Sequence, residues 1–195
     1  MGNSAPQTNA LGLREVLNGH DRISQHNVAY KWAIEHKKAI DMFGNFAKER
    51  GLLLFPSGNE CENWIDPALN IIYKMNTLVH VGGDIQKLFN RLDIYNFLFP
   101  EVALKFVGFQ IMSETNVYPI FAQPFISNAN YATKPQIDEY MLIKGFIPME
   151  KDGYYRNDKY ILSDLKPKNV LITIDNNIFV IDAEISEILS IKSVS

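Results

Sequence analysis

LSDLKPKNVLITIDNNIFVIDAE, residues 162–184, carries more chemistry than any other stretch of the chain. Asp164, Lys166 and Asn169 fall on a loop stiffened by Pro167, since proline fixes its own φ. Two short apolar runs follow, 169–174 and 178–181, separated by Asp175-Asn176-Asn177, residues that favour a hairpin turn. A hairpin returns its second strand beside its first, so Asp182 is expected near the Asn169 end of the loop. Two carboxylates, an amide and an ammonium then converge. Such oxygen ligands suit Mg²⁺, which takes one or two carboxylates and completes its shell with water and substrate phosphates. Lys166 is placed to neutralise a migrating phosphoryl group. The plainer alternative is a simple turn at Asp164, with Asp182 capping a strand end.

Outward from this segment the texture alternates between helical and extended. Residues 160–162 read as a strand, and Pro135 opens a helix over about 136–145, ended by Gly145. Strands are expected at 103–112 and 118–125. Between Gly83 and Pro100 the spacing of Ile85, Leu88, Phe89, Leu92 and Tyr95 predicts a helix over 84–98. Residues 52–55 and 70–75 read as strands, with a turn at Pro56 to Asn59. From 11 to 50, Ala29, Trp32, Ala33, Ile40, Phe43 and Ala47 recur at helical spacing, predicting two helices with a break near 19–24. Trp32, Phe43 and Phe46 are expected to pack these helices on the sheet. Residues 1–10 are small and polar and are expected to form a disordered tail. The order of elements is α+β and not a βαβ series.

Composition narrows the function. In 195 residues, 19 Lys+Arg stand against 22 Asp+Glu, with no basic stripe for a phosphate backbone, so no nucleic-acid partner is expected. The single cysteine, Cys61, permits no internal disulfide and no C-x-x-C knuckle, and has no evident local base. His20, His26, His36 and His80 lack the i,i+4 spacing of a helical zinc pair. No apolar run approaches the roughly 20 residues of a membrane span. Pro6 stands where a myristoylation signal after Gly2 needs Ser or Thr. A cytoplasmic location without membrane partners is the expectation.

Asp164-Leu165-Lys166-Pro167-Lys168-Asn169 resembles the D-L-K-P-x-N catalytic loop of protein kinases, and Asp182 stands where the metal-binding D-F-G aspartate would fall after a short hairpin. Together with YYRNDKY (residues 154–160) and LFNRLDIYNFLFP (residues 88–100), the chain looks like the small kinase-like domains in polyvalent proteins of phages and mobile elements. The resemblance implies ATP and Mg²⁺ as cofactors and an unidentified acceptor. It implies Asp164 as proton acceptor, Lys166 as charge partner, and Asn169 and Asp182 as Mg²⁺ ligands. Lys74, ending Ile71-Ile72-Tyr73-Lys74, would contact nucleotide phosphates and pair with an acid on the next helix, for which Asp93 is the first choice. Main-chain groups of Gln123 and Phe125 would meet the adenine edge. The implied fold is a minimal two-lobed kinase-like unit: helical extension 11–50, sheet with one helix 51–126, and reduced C-terminal lobe 127–195.

Several positions depart from the pattern. Leu162-Ser163 replace His-Arg, and Ala183-Glu184 replace Phe-Gly, adding a third carboxylate. Only Gly58 stands where a glycine-rich phosphate loop belongs, and the eleven residues after Glu184 leave no room for an activation segment. A catalytically inactive nucleotide-binding or interaction module is therefore the first alternative. A nuclease using Asp164, Asp182 and Glu184 as a two-metal cluster is the second.

Overall fold

Alternation of side chains between the two sides of each strand builds one sheet ahead of residue 125, in a computed structural model that describes residues 11–56 and 61–188. The expected tail at 1–10, and Gly58 with its turn, lie outside the described residues. The chain divides into two compact units, Met1–Phe125 and Ile126–Ser195.

The first unit holds β1 (Leu53–Phe55), β2 (Cys61–Asp66), β3 (Ile71–Asn76), β4 (Lys105–Ser113) and β5 (Asn116–Pro124). They form one antiparallel sheet in the order β1-β2-β3-β5-β4. On one face Trp64, Tyr73, Met75 and Ile120 pack with Met42. The other face carries Phe106 and Phe121, which meet Phe89 of α4 (Ile85–Leu98) at 5.2 and 5.7 Å. Trp32 of α2 (Arg22–Glu35) joins this aromatic group through Phe106. Asp21 caps α2 by accepting from Ile23 N–H and Ser24 N–H, and Asp84 caps α4 through Lys87 N–H. Helix α1 (Leu11–Leu17) completes the helical cover.

Residues 36–44 depart from the expected helix. It ends at His36, Lys37 takes φ 54°, and the chain runs parallel beside β4, with Ile40 N–H on Phe109 O and Phe109 N–H on Lys38 O. A third short helix, α3 (Asn45–Arg50), follows. Gly108 makes this approach possible, because a Cβ there would stand 2.3 Å from Lys38 O. The expected packing of Phe43 is only partial: its ring edges onto Trp64, yet the side chain stays exposed.

In the second unit β6 (Ala129–Tyr131), β10 (Val170–Thr173) and β11 (Ile178–Val180) form one sheet, in the order β11-β10-β6. β7 (Ile147–Pro148), β8 (Tyr155–Arg156), β9 (Tyr160–Ser163) and β12 (Glu184–Glu187) form another, in the order β12-β9-β8-β7. Helix α5 (Lys134–Ile143) starts at a capping box of Thr133 and Gln136, with Pro135 in its first turn. The buried Tyr155 donates its hydroxyl to Asp138 Oδ1 at 2.7 Å, and Lys134 holds the same carboxylate. Burial, then the bond to Asp138, pushes the Tyr155 phenol well above its ordinary value. No helix among the described residues is long and apolar enough to cross a membrane.

Candidate active site

Asp164 follows β9 in a left-handed conformation, φ 58°. Aspartate tolerates that region better than most residues, and three contacts enforce it here. Leu165, buried, donates its N–H to Gly153 O at 3.1 Å, which ties the loop to the preceding turn. The carbonyl of Asp164 accepts from Lys166 N–H at 2.9 Å and from Asn169 Nδ2 at 2.7 Å. A 3-10 turn over Pro167–Asn169 then carries the chain into β10, with Asn169 N–H on Lys166 O.

The Asp164 carboxylate is the centre of the arrangement. Asn169 Nδ2 reaches its Oδ2 at 2.8 Å, Lys166 Nζ its Oδ1 at 3.2 Å, and Lys168 Nζ its Oδ2 at 3.5 Å. Burial alone would raise its pKa. Hydrogen bonds from Lys166 and Asn169, with the Lys168 charge, outweigh that and hold it below the ordinary carboxylate value. Asp164 is thus held in its ionised form at neutral pH. Asn169, buried, turns its amide nitrogen onto Asp164, which leaves its Oδ1 as the atom of that side chain able to face a cation.

The hairpin of β10 and β11 pairs Val170 with Val180, and Ile181 N–H extends the ladder to Asn169 O at 2.9 Å. Asp182 is the next residue, exposed and outside regular structure, so the backbone brings it to the Asn169 end of the loop. Glu184 belongs to β12, opposite Ser163, and accepts that hydroxyl at 3.1 Å. This pairing accounts for Ser163 and Glu184 together. Among the described residues no three of His, Cys, Asp and Glu form a group able to hold a metal ion, so the three-carboxylate cluster of the nuclease reading is not formed.

In the first unit Lys74 lies opposite Phe121 and Asn63 in the central ladder. Directly opposed residues share a face, so Lys74 stands on the side of the sheet where Phe121 meets α4. Asn63, on the same face, has a buried Oδ1 with no hydrogen-bond partner. No motif in the sequence singles out Asn63; only the strand register does.

Asp93 holds Arg14 of α1 in a two-pronged ion pair, the second prong 2.7 Å long. The same guanidinium donates to Phe89 O and lies over the Phe89 ring, a geometry only arginine's planar fork offers. Phe125 donates its N–H to Asn70 O at 3.0 Å and accepts Asn70 Nδ2 at 3.1 Å, so its main chain continues the β3–β5 ladder. Gln123 lies opposite Ile72, and its buried side chain donates to Tyr95 hydroxyl at 2.9 Å and Val102 O at 2.7 Å. That makes Gln123 a brace between β5 and α4.

No curated protein matches the chain. A family model described as serine/threonine/tyrosine kinase found in polyvalent proteins matches residues 25–187, a span that takes in most of α2, the whole five-stranded sheet, the Asp164 loop and β12. With the Asp164, Lys166 and Asn169 constellation inside a match of that length, the chain belongs to the family of kinases found in polyvalent proteins.

Proposed function

We propose that the chain transfers the γ-phosphoryl group of Mg²⁺·ATP to a serine, threonine or tyrosine hydroxyl. The observation that carries this is the Asp164 carboxylate, held ionised by an amide and two ammonium groups on its oxygens. In this reading Asp164 takes the acceptor's proton as the acceptor oxygen bonds to the γ-phosphorus and the bond from that phosphorus to ADP breaks. Lys166 steadies the transferred charge. Asn169 Oδ1 and the Asp182 carboxylate hold Mg²⁺, which when bound neutralises phosphate charge. Lys74 would orient the α- and β-phosphates, the role that the family pattern gives the lysine of this strand.

A ligand binding only the native state stabilises it by about 2.7 kcal/mol at a hundredfold excess over its Kd, so millimolar ATP with Mg²⁺ raises the melting temperature visibly. Asp182→Asn abolishes that shift. Asp164→Asn keeps it and lowers phosphotransfer by about 10²–10⁴-fold, the range for losing a general base. No shift with ATP and Mg²⁺ overturns the proposal. A nucleotide-binding module without transfer is the second reading, favoured by the commitment of Asp93 to Arg14. A shift lost in Asp182→Asn, with no phosphotransfer from the parent chain, selects that reading.

A further inference from the structure

The acceptor side of the Asp164 loop carries more positive charge than the carboxylate needs. Lys166 Nζ lies 3.2 Å from one oxygen and Lys168 Nζ 3.5 Å from the other. One ammonium neutralises Asp164, and the second leaves an excess. Their side chains are 50% and 65% exposed, so an approaching peptide meets both. Of the two acids beyond the hairpin, Asp182 is assigned to the cation in the reading above, and Glu184 keeps its charge on β12, where it bonds the Ser163 hydroxyl, while both lysines are paired with Asp164.

An acceptor hydroxyl giving its proton to Asp164 comes within roughly 2.6–3.2 Å of a carboxylate oxygen. Lys168 then stands within about 7 Å of that hydroxyl, inside the screening length of roughly 8 Å at physiological salt. A carboxylate one or two residues from the acceptor is attracted there, and an ammonium is repelled. Lys166 already has a task in charge transfer, which leaves Lys168 as the group that distinguishes acceptors. We infer that Lys168 makes this site selective for acidic peptides, in which the serine, threonine or tyrosine is flanked by Asp or Glu. The inference rests on the phosphotransfer reading and names its substrate class.

Two peptides with the same acceptor residue, one flanked by Glu and one by Lys, separate the possibilities. Fluorescence anisotropy without nucleotide measures binding, and phosphotransfer with Mg²⁺·ATP measures kcat/KM. The expected acidic-over-basic ratio is about tenfold at low salt in both assays, the swing between attraction and repulsion at an exposed site, and it shrinks at 0.5 M salt. Lys168→Met brings the ratio close to one, and Lys168→Glu inverts it. Because the readout is a ratio, a general loss of activity in either variant does not imitate the effect. A parent chain that binds both peptides equally, or a ratio unmoved by Lys168→Glu, overturns the inference. The ATP-dependent melting shift judges the underlying reading separately. A normal shift without acidic preference refutes the peptide selectivity alone. Absence of both shift and transfer refutes the kinase reading, and the nucleotide-free anisotropy ratio still decides the charge preference.

Discussion

Asp164 holds a left-handed backbone that costs on the order of 1–3 kcal/mol for a residue with a Cβ, so its neighbours must over-determine it. Asn169 contributes to this with one amide nitrogen bonded to both the carbonyl and the carboxylate. Asn169→Ala removes a hydrogen bond to a charged group and is expected to destabilise the chain by about 1.5–3 kcal/mol. It also raises the Asp164 titration, because burial then meets less opposition. The carboxyl carbon resonance of Asp164 measures the second effect and chemical denaturation the first. The sign follows from linkage: a depressed carboxyl stabilises the fold above its unfolded value, and that contribution fades as pH falls through the folded value. In Asn169→Ala the fading moves to higher pH. These residues were legible in the sequence because Asp164, Lys166 and Asn169 are neighbours along the chain, and a loop that short cannot scatter them. The Arg14–Asp93 pair was not, since its partners are 79 residues apart and only the folded helices bring them together.

At the scale of elements, two glycines carry close approaches of different kinds. Gly153 sits at φ 75° with its carbonyl on Leu165 N–H, and a Cβ there would lie 3.3 Å from Lys166 Cγ, the middle of a flexible side chain. Gly108 has a backbone carbonyl, Lys38 O, 2.3 Å from the same hypothetical atom. Gly153→Ala is expected to cost about 1–2 kcal/mol, chiefly for the left-handed conformation. Gly108→Ala costs at least as much as ordinary overpacking, about 1–3 kcal/mol, because a backbone must move, and melting midpoints of the two variants rank them. The same contrast explains which elements were readable. Helix α4 announces itself through its apolar spacing, Asp84 at its start and Pro100 beyond its end. Strand β2, CENWID, has polar residues on both sides and reads as nothing in particular until β3 pairs with it. β7 and β8 are two residues each, too short to show alternation, and Ile40 continues a helical spacing that Lys37 has already broken.

At the scale of the molecule, acid sensitivity divides between the two units. In the first, His26 joins three elements: its Nε2 meets Gly83 O at 3.1 Å just before α4, and its Nδ1 accepts Val117 N–H of β5 at 3.2 Å. An imidazole that accepts at Nδ1 and donates at Nε2 is neutral, and burial, against smaller opposing contributions from these two bonds, pulls its pKa below the ordinary value of about 6.5. The neutral ring therefore stabilises the fold above the unfolded imidazole value, and this stabilisation is lost as pH falls through the depressed folded value. The second unit has Asp138, where burial raises the carboxyl but bonds from Lys134 and Tyr155 win and lower it, so its contribution fades only in the carboxylate range. Acidification should accordingly weaken the first unit at a higher pH than the second. Trp32 and Trp64, both in the first unit, make intrinsic tryptophan fluorescence a selective probe of it, and resonances of Tyr155 report the second. In the parent chain the tryptophan-detected denaturation midpoint declines as pH falls below about 6.5, the unfolded imidazole value, ahead of the Tyr155 signal. His26→Gln flattens that decline and leaves the Tyr155 profile in place; an unchanged tryptophan profile in the variant would remove His26 as the origin of the acid response.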